Sequence, residues 1–275
     1  MSYNFFIIGG DLRMIYLAYS LSNDGNKVKI TGFDKYEKDE LLNNNIKKAH
    51  SINDVEKGDI LISSIPLTVD KENVYAPYSG TKIKIKDLKD KKIIAGKLPA
   101  DIKGWDLLKN EKIAILNAIP TAEGAISKAI ELTKRSLWKE NTLVLGYGKV
   151  GKILSDRLNR LGANVYCEAR KERDLAFIEA YGYQAKPLNE LNKNLCKMKV
   201  IFNTVPNLII DKSRIILLKN DTVVIDLASG KGGVDLSSCK KQHIKAIQYN
   251  GIPGKVAPLT SAEYIKKYIY EIIKK

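Results

Sequence analysis

The stretch Thr142 to Gly151, TLVLGYGKVG, has the clearest chemical reading in this chain. An apolar run, Thr142 to Leu145, leads into Gly146-x-Gly148-x-x-Gly151. Val150, Ile153, Leu154, Leu158 and Leu161 then recur at helical spacing until Gly162. Strand, glycine turn and helix in that order describe a dinucleotide site. Gly146 permits the tight turn, Gly148 lets the backbone approach a pyrophosphate, and Gly151 lets the helix close onto the strand. The unpaired N–H groups at the start of that helix suit a phosphate, so Gly146, Tyr147, Gly148, Lys149, Val150 and Gly151 are the expected cofactor contacts.

A second strand, running to Tyr166-Cys167-Glu168-Ala169-Arg170, ends where such a fold reads the adenosine ribose. A carboxylate there suits the 2′-hydroxyl of NAD, and an arginine suits the 2′-phosphate of NADP. Glu168 and Arg170 share one strand face, so both can claim the position. The basic cluster Arg170, Lys171 and Arg173 tips the expectation to NADP, with Arg170 and Lys171 as contacts. Solvated surface charge is the competing reading of Lys171 and Arg173. Two further strand ends, Thr204-Val205-Pro206 and Asp226-x-Ala228-Ser229, fall where an open α/β sheet binds ligands and are expected to neighbour the cofactor.

The chain has 275 residues, 44% of them hydrophobic and 28% charged, enough for a sizeable core and for two domains. Its formal net charge of +15 favours anionic ligands. The lysines are scattered in pairs such as Lys47-Lys48 and Lys240-Lys241, not gathered in an aromatic-interleaved patch, which argues against a nucleic-acid surface. Cys167, Cys196 and Cys239 are too far apart for a disulfide framework or a Cys-x-x-Cys site, and with only His50 and His243 no metal centre is expected. Phe5 to Ile8 is interrupted too soon for a signal peptide, and no run reaches membrane-spanning length. A cytoplasmic protein is expected.

The elements that position these residues alternate strand and helix. Strands are expected at Phe5 to Ile8, Lys27 to Phe33, Asp59 to Ser64, Lys92 to Ala95 and Ile113 to Leu116, then at Lys199 to Asn203, Thr222 to Leu227 and Lys245 to Gln248. Helices are expected at Arg13 to Ser22, after Gly151, and at Glu123 to Leu137. The fold class is α/β, with two Rossmann-like, doubly wound parallel sheets and a cleft between them. Thr260-Ser261-Ala262-Glu263 reads as a capping box opening a last helix with Ile265, Tyr268, Ile269, Ile272 and Ile273 behind it and a basic end, Lys274-Lys275. That helix is expected to return to the first domain, giving 1–120 plus 258–275 as the substrate and partner domain and 121–257 as the NADP-binding domain.

The motifs together resemble a known family. Gly9-Gly10-Asp11-x-Arg13, Ile119-Pro120-Thr121-x-Glu123-Gly124, Gly146-x-Gly148, Asp226-Leu227-Ala228-Ser229-x-x-Gly232-Gly233-x-Asp235 and Gly251-x-Pro253-Gly254-x-Val256-Ala257-Pro258-x-Thr260 resemble the A-type subunit of dipicolinate synthase in order and spacing. The architecture is also similar to that of alanine dehydrogenases and S-adenosylhomocysteine hydrolases. The turn Ala228-Ser229-Gly230-Lys231 departs from the family, in which a proline is common there. The resemblance implies oxidation of (S)-2,3-dihydrodipicolinate, a small dianion, to dipicolinate with NADP. It also implies that the partner is the flavoprotein-like B-type subunit of dipicolinate synthase, and that the setting is the mother cell of a sporulating bacterium. A homo-oligomer is left open.

Gripping two carboxylates calls for cations or N–H and O–H donors. Arg13, just inside the first helix, is the leading clamp, with a surface ion pair as its alternative. Thr121, Ser63 and Ser64 are further donors. Asp11 and Glu123 are the carboxylates available to take the ring proton. Asp11 can equally cap its helix, and Glu123 can equally sit in a first helical turn for dipole reasons. Two other functions fit the residues: a different two-domain NAD(P) dehydrogenase of an amino or keto acid, and a non-catalytic nucleotide-binding scaffold.

Overall fold

The computed structural model describes residues 2–36 and 46–274. Alternation of apolar strands and amphipathic helices produces two six-stranded sheets, and every strand pairing in them is parallel. The first is built from β1 (Asn4–Ile8), β2 (Lys27–Thr31), β3 (Ile46–Lys48), β4 (Ile60–Ser63), β5 (Ile93–Ala95) and β6 (Gly104–Asp106), in the order β3-β2-β1-β4-β5-β6. The second uses β7 (Asn141–Leu145), β8 (Asn164–Glu168), β9 (Gln184–Lys186), β10 (Val200–Asn203), β11 (Val223–Asp226) and β12 (Lys245–Gln248), in the order β12-β11-β10-β7-β8-β9. Each is the doubly wound order, so each has a switch point where the winding reverses, at β1/β4 and at β7/β10.

The helices are α1 (Leu12–Asn23), α2 (Glu111–Thr133), α3 (Lys149–Arg160), α4 (Glu172–Ala180), α5 (Lys212–Ile215), α6 (Leu236–Lys241), α7 (Ile252–Val256) and α8 (Pro258–Ile273). By contacts the chain divides into one unit up to Asn117 together with the residues from Pro253 on, and a second unit, Ala118–Ile252.

Successive strand residues face opposite sides, and helices cover both, so the central strands read as unbroken apolar runs. In the first unit Phe5 and Ile7 pack with Met14, Leu17 and Leu21 of α1 and with Ala262, Ile265 and Ile269 of α8. Phe6 and Ile8 face Leu67, Val74, Leu88 and Ile93 on the other side. In the second, Val144 packs with Leu154, Leu158, Phe202 and Ile225, while Leu143 and Leu145 pack with Leu195, Ile201, Ile215 and Val224.

Three sequence expectations are corrected. Ile113 to Leu116 is not a strand: the Asn110 side chain accepts the Ile113 N–H at 3.0 Å, and a helix starts there. A short apolar run carries no period of its own, and this one lies among good helix formers. The helix expected from Glu123 to Leu137 is the later part of α2, which starts at Glu111, runs through Pro120 and ends at Thr133. Finally, Thr260 to Glu263 is no capping box. α8 begins at Pro258 with Ala257 as its N-cap, the Ser261 hydroxyl donates to the Ala257 carbonyl at 2.9 Å, and Glu263 instead accepts from Ser20 of α1. Proline is preorganised for the first helical position, and it moves the start upstream. Of the expected basic end, Lys274 caps the helix and Lys275 lies outside the described residues.

Ile269 is fully buried between α8 and α1. Ile269→Ala is expected to cost the first unit about 2–5 kcal/mol, read as a lower urea midpoint of that unit's transition. An unchanged midpoint would remove α8 from its core.

Candidate functional site

β7 ends at Leu145, and the next residue, Gly146, has a positive φ of 89° that turns the chain toward α3. The turn is tight on two sides. A Cβ at Gly146 would lie 2.6 Å from Val205 Cγ2 and 2.7 Å from Thr204 Oγ1, and one at Gly151 would lie 2.0 Å from the Gly146 carbonyl oxygen. The third side is open, because a Cβ on Gly148 would meet nothing within 4 Å. Gly148 is the N-cap of α3 and supplies no side-chain hydrogen bond to its first turn. A helix N-terminus left uncapped by side chains, behind an open glycine, fits a pyrophosphate. Lys149 and Val150 form the first turn of α3. Tyr147 contributes only backbone here. Its ring is buried in a groove of about 500 Å³ with Phe177, Tyr181 and Tyr183, and burial pushes its hydroxyl up.

Thr204 and Val205, at the end of β10, floor this turn, with the Thr204 hydroxyl donating to the Leu145 carbonyl at 2.8 Å. Pro206 is exposed just beyond them. Glu168, the last residue of β8, is 1% exposed. The Gly146 N–H is shared between its carbonyl oxygen at 3.1 Å and its Oε2 at 3.2 Å. Oε1 is buried and has no hydrogen-bond partner among the described residues. Burial pushes this carboxyl above the usual glutamate value, against the opposing pull of the Gly146 N–H, Arg170 and Arg214. Arg170 is exposed in the following turn, and Lys171 is the N-cap of α4 with no side-chain cap bond. The sequence left Glu168 and Arg170 both able to claim the position at this strand end. The structure places Glu168 directly against the glycine turn.

Asp226, expected to neighbour the cofactor, spends its carboxylate on its own loop. Its Oδ1 accepts from Asn203 Nδ2 at 2.8 Å and the Ala228 N–H at 3.1 Å, and its Oδ2 accepts from the Gly233 N–H at 2.8 Å. Both oxygens are committed to closing the 226–233 loop. Gln248 holds the same loop from β12, donating to the carbonyls of Ala228 and Gly230. Ala228 is thereby buried and Ser229 exposed on the loop. Asn203, which the sequence analysis missed, links the clasp to the floor of the turn, because it also donates to the Val205 carbonyl at 2.9 Å. The available signal was an amide ending an otherwise apolar strand.

In the first unit, Asp11 caps α1 and grips Arg13: Arg13 Nε reaches Oδ1 and Nη2 reaches Oδ2, both at 2.8 Å. Nη2 also donates to the Ile65 carbonyl past the end of β4. The pair therefore sits at the β1/β4 switch point, and Arg13 is buried, which excludes the surface ion pair. Nη1 has no hydrogen bond to a described residue. A Cβ on Gly254 would lie 2.4 Å from Asp11 Oδ2, so the Pro253-Gly254 backbone rests on this carboxylate. Ser63 and Ser64 are not free donors, since their buried hydroxyls already serve the carbonyls of Ile8 and Leu67. Tyr75 and Tyr78 were missed by sequence reasoning. Their hydroxyls are pushed up by burial first and by the Asp11 charge second.

Thr121 and Glu123 lie on α2, in the second unit. Glu123, expected as a candidate to take the ring proton, pairs its exposed carboxylate with Arg157 at 3.5 Å. Nine residues separate Arg157 from Gly148, about 13 Å along α3.

Residues 4–116 match the N-terminal domain of the dipicolinate synthase A-type subunit, and residues 116–236 match the NAD-binding domain of the D-isomer-specific 2-hydroxyacid dehydrogenases. The A-type subunit of Bacillus subtilis dipicolinate synthase is 28% identical over 97% of this chain and 94% of its own. The chain is a relative of the A-type dipicolinate synthase subunits. The crystal structure of the corresponding subunit from Bacillus halodurans is 28% identical, with a TM-score of 0.87 over 99% of this chain and 98% of that one. An L-alanine dehydrogenase shares the fold at 12% identity and a TM-score of 0.64, over 98% of this chain and 90% of that one. The second unit thus resembles a dehydrogenase-type dinucleotide-binding domain, alongside a first unit that matches the N-terminal domain of the dipicolinate synthase subunit.

The glycines of this domain separate folding from binding. Gly151→Ala is expected to melt at markedly lower temperature, because its Cβ collides with backbone. Gly148→Ala is expected to melt normally and to bind a nicotinamide dinucleotide at least tenfold more weakly in a fluorescence titration. Equal affinity in Gly148→Ala would place the pyrophosphate elsewhere. Asp226→Ala strands the Asn203 amide and two backbone N–H groups, and is expected to cost about 3 kcal/mol or more in urea denaturation.

Proposed function

We propose that this chain is the NADP-binding, A-type subunit of a dipicolinate synthase and oxidises (S)-2,3-dihydrodipicolinate to dipicolinate together with a flavoprotein-like B-type subunit, in the mother-cell cytoplasm of a sporulating bacterium. The observation that carries this reading is similarity to the A-type subunit over 97% of the chain. The open glycine turn and the buried Arg13–Asp11 pair at the switch point of the first sheet support it. Arg170 and Lys171, beside the start of α4, support a 2′-phosphate on the cofactor.

The reaction removes one hydride and one proton from the ring. The cofactor, when bound, supplies the hydride acceptor at nicotinamide C4. What remains for this chain is orientation, because the gain of aromaticity drives the step. In this reading Arg13 offers its Nη1 edge to one substrate carboxylate, while Asp11 and the Ile65 carbonyl hold the guanidinium rigid. Tyr75 and Tyr78, neutral at physiological pH, donate their phenolic hydrogens to the same dianion. Asp11 acts as the positioning partner of Arg13 and not as general base, since both its oxygens already accept from Arg13.

A second reading, a dehydrogenase of another hydroxy, amino or keto acid, draws on the match of residues 116–236. The two are separated by supplying the purified chain with dihydrodipicolinate, made in place by its synthase, and following dipicolinate and reduced nicotinamide together. Dipicolinate formed with NADP, faster than with NAD, is expected, either from the chain by itself or on adding its B-type partner. Turnover of an amino or 2-hydroxy acid without dipicolinate formation would overturn the proposal. Tyr75→Phe is expected to raise the KM for dihydrodipicolinate up to about tenfold at unchanged melting temperature.

A further inference from the structure

The end of β8 carries two instructions that conflict. Glu168 is the carboxylate that suits a ribose 2′-hydroxyl, and Arg170 with Lys171 is the cationic pair that suits a 2′-phosphate. Glu168 cannot swing away from an incoming phosphate: it is 1% exposed, and its Oε2 is tied to the N–H of Gly146 in the turn itself. Its Oε1 is buried with no partner. An ionised Oε1 beside a phosphate would meet a repulsion several times thermal energy, even at an effective dielectric of about 20. A protonated Oε1 becomes an O–H donor, and a phosphate oxygen is the acceptor it lacks.

We propose that Glu168 selects between the two nicotinamide dinucleotides by its proton, so that binding of NADP takes up a proton at Glu168 and binding of NAD, whose 2′-hydroxyl donates to the carboxylate, does not. The inference rests on the dinucleotide reading of the glycine turn. The charged groups around Glu168 leave the proton there. Arg170 lies in the solvent-exposed turn, and Lys186 on β9 is the register partner of Glu168. Arg214 of α5 is spent on the Ile209 carbonyl and Asn192. None of them hydrogen-bonds Oε1, and burial outweighs their pull, holding the carboxyl above the usual glutamate value before any ligand arrives.

The sign follows from linkage. A ligand that requires the protonated form binds more weakly as pH rises above the carboxyl's own titration, by up to about tenfold per pH unit. A ligand that accepts the ionised form shows no such fall.

The test is calorimetric titration of the full chain with NADP and with NAD, from about pH 7 to about pH 9, above the phosphate's own titration near 6. Each titration is run in two buffers of different ionisation heat. The wild type is expected to take up as much as about one proton per NADP and none per NAD, with the NADP-to-NAD affinity ratio falling as pH rises. In Glu168→Gln the NADP-linked uptake and the fall should both vanish, and NADP should stay bound at the top of the range. An NADP-to-NAD ratio flat with pH in the wild type overturns the proposal without any variant, as does equal proton uptake in wild type and Glu168→Gln. Binding of neither nucleotide overturns the dinucleotide reading and this inference together.

Discussion

The second unit depends on one backbone contact. The start of α3 lies so close to the end of β7 that residue 151 has room for a hydrogen and nothing more before meeting the Gly146 carbonyl. That approach fixes the angle at which α3 leaves the sheet, and with it the open space in front of Gly148. It also presses the turn against Thr204 and Val205 of β10, the strand across the switch point, so the shape of the turn is set from both sides. The apolar packing of Leu154 and Leu158 under the sheet supplies the energy that holds α3 there, while the glycines determine how near it can come.

Around this contact, buried polar groups are treated in two ways. Asn203, Asp226 and Gln248 form a closed set in which each buried oxygen of Asp226 has a donor, so the 226–233 loop is fixed at little net cost. Asp11 and Arg13 do the same at the switch point of the first sheet, with Gly254 packed over the carboxylate. Among the described residues of the second unit, Glu168 is the exception. A buried acceptor without a partner costs about 1–3 kcal/mol, comparable to a large single mutation, and nothing in the fold of the second unit needs it. The cost is carried directly beside the glycine turn, where the proposed dinucleotide would supply the missing partner.

Much of the architecture was legible from periodicity. Runs such as Phe5 to Ile8 and Thr142 to Leu145 are apolar on both faces, which only a sheet covered on both sides accommodates, and the two six-stranded parallel sheets follow. Glycine spacing located the β7 turn for the same reason: missing side chains are visible in a sequence, and here their absence is what the geometry requires. Ile113 to Leu116 was misread because four apolar residues carry neither period, and the Asn110 cap decided for helix. The three-residue edge strands β3, β6 and β9 left no periodic signal either, since a strand that short is defined by its neighbour's hydrogen bonds.

What the sequence determined by itself was therefore the local content: strand, glycine turn, helix, and the residue types available at each strand end. Which of those residues remain available was decided only by tertiary structure. Ser63 and Asp226 are consumed by bonds that reach Ile8 and Asn203, far away in the chain, Ser64 by a local bond to Leu67, Glu123 pairs with Arg157 on the far part of α3, and Glu168 is left with an unpaired oxygen. The physical reason is that a polar side chain's free valence depends on which donors and acceptors the fold brings within about 3 Å of it, and spacing along the chain does not encode that distance.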